Sequence, residues 1–579
     1  MTLWQQRDRA RGALAREVGY VRKPHGGRLR VALAFPNTYF VGMSNLGFQT
    51  VYRLFNALDD VVCERVFLPP KQELRAQLQR GTPVVTLESQ TPVADFDVLA
   101  FSVSFEWDYT NVLTMLRLSG LPLRAAERSE RHPFIVIGGA VTFVNPEPLA
   151  LFADVIAAGE GEELVPALVA AIASASDRTD LVARLATERG FYVPSLYDVE
   201  YAPDGRITRF VSTGGAPVPV RKAAARSTER LDPPSTTIFT PDTEFGSRLL
   251  IEVVRGCANL CRFCWAGYNY LPVRAFPVSR ILELAQAARA HASRVGLVSI
   301  ALCDHPDIEE ILTRLAGMGY SISPASLRLD DLTETIVRLL KQSGERTLTI
   351  APETGSDRLR RVINKTVTND EILNRTELIF ASGIENLKLY YMIGLPTETD
   401  DDLVAIHDLT LQMREIMLKH GRPRGRLGEI VGSVNPLIPK PGTAYQWLPM
   451  EQPDVIERKA KRLKSLMAGI DNVHLNVKSE RHSYYQALLS LGDRRIAPVI
   501  EAAERNGGNW RAAVAETGVD ADFYIFRDRS RDAVLPWDII DGGLKAPFFR
   551  SEYEKGLRGE WTLPPKRLQE NARLLPMLG

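Results

Sequence analysis

Three of the chain's five cysteines, Cys257, Cys261 and Cys264, fall within eight positions as C-x3-C-x2-C, and this triplet constrains the 579 residues more than any other feature. Thiolates are soft ligands suited to iron–sulfur clusters or zinc. Three of them can hold three irons of a [4Fe–4S] cube and leave the fourth iron open, as catalysis requires. A zinc knuckle closes instead with a fourth Cys or His close by, and the nearest downstream are His291 and Cys303. The flanks place the triplet just past a strand end. Leu249-Leu-Ile-Glu-Val-Val254 is an apolar, β-branched run of the kind that forms a buried strand, and Arg255-Gly256 turns the chain into the cysteine segment.

Phe263 directly precedes the last cysteine, so the segment reads C-x3-C-x-aromatic-C after a strand. In this it resembles the radical SAM superfamily. The resemblance implies a partial TIM barrel, a [4Fe–4S] cluster on Cys257, Cys261 and Cys264, and S-adenosylmethionine chelated to the open iron with Phe263 near its adenine.

Composition excludes several other classes. Lys and Arg number 71 against 70 acids, so there is no global basic field of a dedicated nucleic-acid binder. The first residues lack an apolar signal core, and no run is long enough for a membrane span. Five cysteines, three of them in one triplet, point to a reducing compartment, and the expectation is a cytoplasmic protein without disulfides. The length predicts two to four domains.

Residues 29–190 alternate short apolar runs (29–35, 61–62, 98–103, 134–137, 154–157) with helical patterns, which predicts a doubly wound, Rossmann-like sheet within a first domain of residues 1–213. Residues 214–245, rich in Pro, Ser, Thr and Arg, read as a linker. Residues 246–479 carry six strand–helix units, with strands near 249–254, 296–302, 321–327, 346–351, 386–393 and 428–434, and predict a partial (β/α)6 barrel whose site lies at the C-terminal strand ends. Residues 480–579 form a small, mostly helical C-terminal domain.

Four strand ends carry candidate site residues. The second leads into Cys303-Asp304-His305; Asp304 lies in the segment that meets the cofactor's amino group in the superfamily, and Cys303 is either a small buried side chain or a redox or hydrogen-donating group. The fourth runs into Ala351-Pro-Glu-Thr-Gly-Ser-Asp-Arg358, where the resemblance implies Glu353 on the ribose hydroxyls and Ser356 or Arg358 on the carboxylate; Ser356 is equally a plain helix cap. The fifth ends in Gly394-Leu-Pro396, similar to the superfamily's Gly-x-Pro element under adenine. After the sixth, the stiff loop Asn435–Thr443 carries Lys440 toward the cavity side, as a candidate for an anionic group of substrate or cofactor. Arg255 either tunes the cluster through its charge or pairs with Glu252.

Further motifs extend the resemblance over nearly the whole chain. They are Phe35–Gly47, Gly138-Gly139, Asn145-Pro-Glu-Pro148, Gly159-Glu-Gly-Glu162 and Gly492-Asp-Arg-Arg495, and together they are similar to the radical SAM proteins with a B12-binding domain. The Asp-x-His-x-x-Gly of a histidine-ligated cobalamin is missing from residues 1–225, where the histidines are His25 and His132. Two readings stay open: cobalamin bound without histidine, or a domain that kept the shape without the cofactor. The implied activity is reductive cleavage of S-adenosylmethionine, with methyl transfer as its cobalamin-dependent variant and a flavodoxin or ferredoxin as electron donor. The other class is a metal-stabilised RNA-binding scaffold using the basic residues Arg414, Lys419, His420, Arg422, Arg424 and Arg426.

Overall fold

The computed structural model describes residues 2–324, 327–329 and 332–562. The end of the expected third strand (325–326) and the chain's last residues (563–579) lie outside the described residues.

The apolar runs of the first domain form β1 (Leu29–Thr38), β2 (Val61–Leu68), β3 (Val98–Ser102), β4 (Phe134–Gly138), β5 (Val155–Ala157) and β6 (Phe191–Tyr192). They join in one sheet in the order β2-β1-β3-β4-β5-β6, parallel except for β6, which runs antiparallel to β5. Val31 to Phe35 of β1 are all buried, as expected of a strand covered on both faces. The chain reverses direction across the sheet between β1 and β3, the point at which open α/β sheets leave a crevice beyond their strand ends. Exposed Phe40, Val41 and Phe105 follow the C-terminal ends of those two strands. A hairpin of β7 (Tyr197–Tyr201) and β8 (Ile207–Ser212) closes the domain.

The 214–245 stretch is not a loose tether. It contributes β9 (Val220–Arg221), and further bridges join Gly159 to Ala223 and Val18 to Phe239.

In the next unit β10 (Leu249–Glu252) is followed by a small antiparallel ribbon of β11 (Val254–Arg255) and β12 (Arg274–Ala275). Then come β13 (Arg294–Val298), β14 (Ser321–Pro324), β15 (Thr347–Glu353), β16 (Asn386–Ile393), β17 (Ile430–Pro436) and β18 (Val473–Val477). Helices alternate with these strands, among them Val278–Ala288, Ile308–Gly317, Asn369–Ala381, Asp400–Gly421 and Pro453–Met467. Parallel pairing gives two sheets, β10-β13-β14 and β15-β16-β17-β18. Two expectations change. The first strand ends at Glu252, because Val254 and Arg255 pair with the returning chain instead. A seventh strand, β18, joins the six expected ones.

The C-terminal region is helical and packs back on the first domain. Arg117 and Arg124 pair with Glu504 and Glu501, and β19 (Ile540–Asp541) runs parallel to β9. Two motifs far apart in sequence meet here. Asn145 donates to the carbonyls of Ser490 and Gly492, and Arg494 pairs with Glu147 at 2.8 Å. Among the described residues no helix is long and apolar enough to cross a membrane.

Candidate active site

The cysteine segment is a loop, 256–273, whose neck is the β11–β12 ribbon. Gly256 enters it at φ +98, and a Cβ there would come within 2.5 Å of the Tyr270 carbonyl, so only glycine makes this turn without displacing the return arm. Cys257 and Cys261 are buried and Cys264 half-buried. Burial pushes the Cys257 thiol up to about 11 and Cys261 to about 12, and raises Cys264 as well. The Asn259 amide opposes this at Cys257, and the Ala266 and Gly267 amides oppose it at Cys264, as N–H groups facing sulfur do when they stabilise a thiolate. Cys257 and Cys264 both act electrostatically on Cys261. Among the described residues no three His, Cys, Asp or Glu side chains are gathered around a single ion position. Three neighbouring thiols in one loop, two of them with amide support, suit a cluster that takes one thiolate per iron.

Other parts of the chain hold this loop from two sides. Arg262, wholly buried, donates to the carbonyls of Arg361 (2.8 Å) and Val362 (3.1 Å) and pairs with Glu552 of the helix Ala546–Arg558. Asn364 donates to the carbonyls of Asn259 and Leu260. On the opposite side, Arg255 pairs with Glu252 as expected, and also with Glu160 (3.0 Å) and Glu162 (2.9 Å) of the first domain. Trp265 and Tyr270 stack edge-on against Phe143 from the same domain. Arg262, Asn364, Glu552, Glu160 and Arg274 were not among the expected site residues; each acts through a partner about a hundred residues or more away.

The expected residues fall around this loop with different freedom. Asp304 accepts from the Ala258 amide at 3.4 Å and pairs with Arg328 at 2.7 Å, so the turn after β13 is bonded to the cysteine loop. Cys303 is half-buried against the core. Phe263 is likewise half-buried on the core. Glu353 ends β15 at φ +65, with its carboxylate 12% exposed and 3.4 Å from Lys365. Burial pushes its carboxyl above the usual carboxylate range, against the opposing pull of Lys365. Lys365 and Glu353 also act electrostatically on the Cys261 sulfur.

Three of the expected residues engage other parts of the chain. The Ser356 hydroxyl caps the helix Asp357–Ile363 by accepting from Leu359 N at 3.2 Å. Arg358 turns away to Asp402 and to Thr397, tying the helix start to the turn that contains Gly394 and half-buried Pro396. Lys440 pairs with Glu106 of the first domain and lies 3.3 Å from Ser490, because the stiff loop points it into the domain junction; its charge is already matched. Four members of the basic stretch are bonded internally. Lys419 and His420 bond Glu377, Arg424 donates to the carbonyls of Phe380 and Ala381, and Arg414 donates to that of Asp471.

The concave face of the barrel can be read from strand alternation. Tyr391 points outward, its hydroxyl 3.0 Å from that of Thr410 on the helix Asp400–Gly421. Its neighbours Lys388, Tyr390 and Met392 therefore face inward. Tyr390 is 37% exposed, and the Lys388 ammonium lies 5.3 Å from its ring centre. Ser433 and Asn435 share that face on β17, opposite Tyr390 and Met392 in register. A closed barrel would fill this space with branched apolar residues; here it is polar and partly open. Two cavities lie elsewhere and contain none of these residues. One of about 390 Å³ sits between the helix Leu3–Leu14 and the ends of β1 and β2, and one of about 260 Å³ is lined by Lys341, His420 and Arg424.

Comparison with known proteins adds the following. A family model described as radical SAM proteins, N-terminal, matches residues 47–194, and one for the radical SAM superfamily matches residues 251–410. An uncharacterised protein of Methanocaldococcus jannaschii is 27% identical over 478 residues, 81% of this chain and 90% of its own. A tRNA-2-methylthio-N(6)-dimethylallyladenosine synthase of Colwellia psychrerythraea is 22% identical over 54% of this chain and 63% of its own. Among solved structures, the radical S-adenosylmethionine methyltransferase TsrM from Kitasatospora setae aligns over 95% of this chain and 99% of its own, at 12% identity and a TM-score of 0.46. The cobalamin-dependent S-adenosylmethionine radical enzyme OxsB aligns over 66% of this chain and 52% of its own, at 14% identity and a TM-score of 0.44, so the match spans about half of that protein.

Proposed function

We propose that this chain, which belongs to the radical SAM superfamily, is an enzyme that cleaves S-adenosylmethionine reductively at a [4Fe–4S] cluster held by Cys257, Cys261 and Cys264. The observation that carries the reading is the cysteine triplet, with backbone amides on Cys257 and Cys264, on a loop that follows the first strand of an open barrel. A cluster bound there supplies one electron to the sulfonium, whose C–S cleavage gives methionine and a 5′-deoxyadenosyl radical that abstracts hydrogen from substrate.

The chain's own residues do the positioning. Glu353, buried with Lys365 on one oxygen, offers its other oxygen to ribose hydroxyls. The turn at Gly394 and Pro396 forms the floor under the base, and Arg358 and Ser356 stiffen it at one remove, through Thr397 and the helix cap. Phe263, next to Cys264, walls the adenine side. Asp304 keeps the turn after β13 against the loop, where a backbone carbonyl can receive the amino group. Substrate enters the polar concave face, where Lys388 and Tyr390 meet it. The loop is held between the first domain, the barrel and the C-terminal helix.

A cobalamin-dependent methyl transfer is the second reading, favoured by the exposed Phe40, Val41 and Phe105 at the switch point of the first sheet. His25 is bonded to Glu64 and His132 to Ser129, and both precede their strands. A corrin there would therefore take no cobalt ligand from His25 or His132.

The test is chromatography with mass spectrometry of the anaerobically reconstituted, dithionite-reduced protein given S-adenosylmethionine, with and without hydroxocobalamin. 5′-Deoxyadenosine is expected in both, and S-adenosylhomocysteine only with cobalamin if the second reading holds. Neither product from protein with a full cluster would contradict the proposal.

A further inference from the structure

Arg255 and Arg274 stand directly opposite each other across the β11–β12 ribbon, as its last and first residues around the cysteine loop. Like charges in that cross-strand position repel, and here both are nearly buried, at 9% and 5% side-chain exposure. One carboxylate from the first domain spans them. Glu160 Oε2 lies 3.0 Å from an Arg255 nitrogen, and Arg274 forks onto both Glu160 oxygens at 2.6 and 2.9 Å. Glu162 and Glu252 complete the charge balance on Arg255 alone, so Glu160 is the member of the set that joins the two arms.

The rest of Gly159-Glu-Gly-Glu162 is shaped to present this carboxylate. Gly159 at φ +144 lets the backbone approach Ala223, where a Cβ would lie 2.0 Å from the Ala223 carbonyl. The Ala225 amide donates to Glu160 at 3.0 Å, fixing its tilt. From the same strap, Lys222 donates to the carbonyl of Asn269, a residue of the cysteine loop itself.

We propose that Glu160 is a positioning residue for the cluster. By bridging Arg255 and Arg274 it closes the neck of the 256–273 loop, so that the first domain sets where the three thiolates stand. The inference rests on the cluster assignment above and assigns to the Gly-Glu-Gly-Glu motif a task at the radical site rather than within its own domain.

The test is loss of the reconstituted cluster to an iron chelator, followed by absorbance, together with the electron paramagnetic resonance spectrum of the reduced protein. In Glu160→Gln, two buried guanidiniums face each other without their shared anion. The expected result is roughly tenfold faster loss, the scale on which partners of metal ligands act, and an altered spectrum in chain that keeps its wild-type circular dichroism. Arg274→Gln alone takes one arm off the bridge and should also speed the loss, which keeps the clamp testable even if Glu160→Gln folds poorly. Wild-type retention and spectrum in Glu160→Gln, or in Arg274→Gln, would overturn the clamp alone. A wild-type chain that takes up no iron would overturn the cluster assignment as well.

Discussion

Glu353 concentrates the chemistry expected of a cofactor-binding side chain: it is a carboxylate at a strand end, almost wholly buried, with one basic neighbour and a left-handed backbone. A residue held in that conformation costs free energy that the surrounding structure must offset, and such positions cluster at functional sites. Replacing it by Gln keeps shape and volume but weakens acceptance from ribose hydroxyls, because a hydrogen bond to a charged group is worth more than one to a neutral group. Glu353→Gln should lower S-adenosylmethionine affinity roughly tenfold, about 1.4 kcal/mol, with cluster content unchanged. Calorimetric titration of the reconstituted variant measures this; unchanged affinity would remove Glu353 from the site. Lys440 shows why residue type alone misleads. Its rigid loop was legible, but its partner Glu106 lies 334 positions away, and only the fold reveals that the charge is already matched.

At the scale of elements, signals carried by short windows were readable and those set by distant partners were not. The cysteine spacing, the apolar strands of the first sheet and six barrel strands are local patterns, and each stands near its expected place. β18 escaped because Val473-His-Leu-Asn-Val477 is short and polar at two positions. The β11–β12 ribbon escaped because its two-residue arms carry no periodicity, and the Glu160 bridge spans 114 positions. Ser356 shows a motif with two meanings, and the structure assigns its hydroxyl to the cap of Asp357–Ile363. Ser356→Ala should therefore cost about 1 kcal/mol of stability, typical for a lost N-cap, with the cofactor's dissociation constant moved less than about twofold, under 0.5 kcal/mol. Urea unfolding and titration read the two separately. A large loss of affinity at unchanged stability would restore Ser356 to the carboxylate.

For the molecule as a whole, the cysteine loop is where the first domain, the barrel and the C-terminal helices meet, through Glu160, Asn364 and Glu552. Stability of that junction depends on buried carboxyls. Asp108, next to the junction residue Glu106, is pushed up to about 6 from 3.8 by burial, against the amides of Asn37 and Asn111 that it accepts from. A carboxyl whose folded value is raised binds more protons folded than unfolded, so its contribution is present in acid and is lost as pH rises from about 4 through about 6. Asp108→Asn keeps the acceptor oxygen without the charge. It should be more stable than wild type by about 2–3 kcal/mol at neutral pH and nearly equal to it near pH 4, since two units correspond to about 2.7 kcal/mol. Urea titrations of the apoprotein across that range test this, and a difference independent of pH would refute it. The central claim concerns the triplet itself and is tested most directly by electron paramagnetic resonance of the reduced, iron-reconstituted chain with and without S-adenosylmethionine. The account predicts a reduced [4Fe–4S] signal in wild type that changes shape when the cofactor is added, and no such cluster in Cys261→Ala. One zinc per chain with no cluster signal, or a cluster spectrum indifferent to the cofactor, would contradict it.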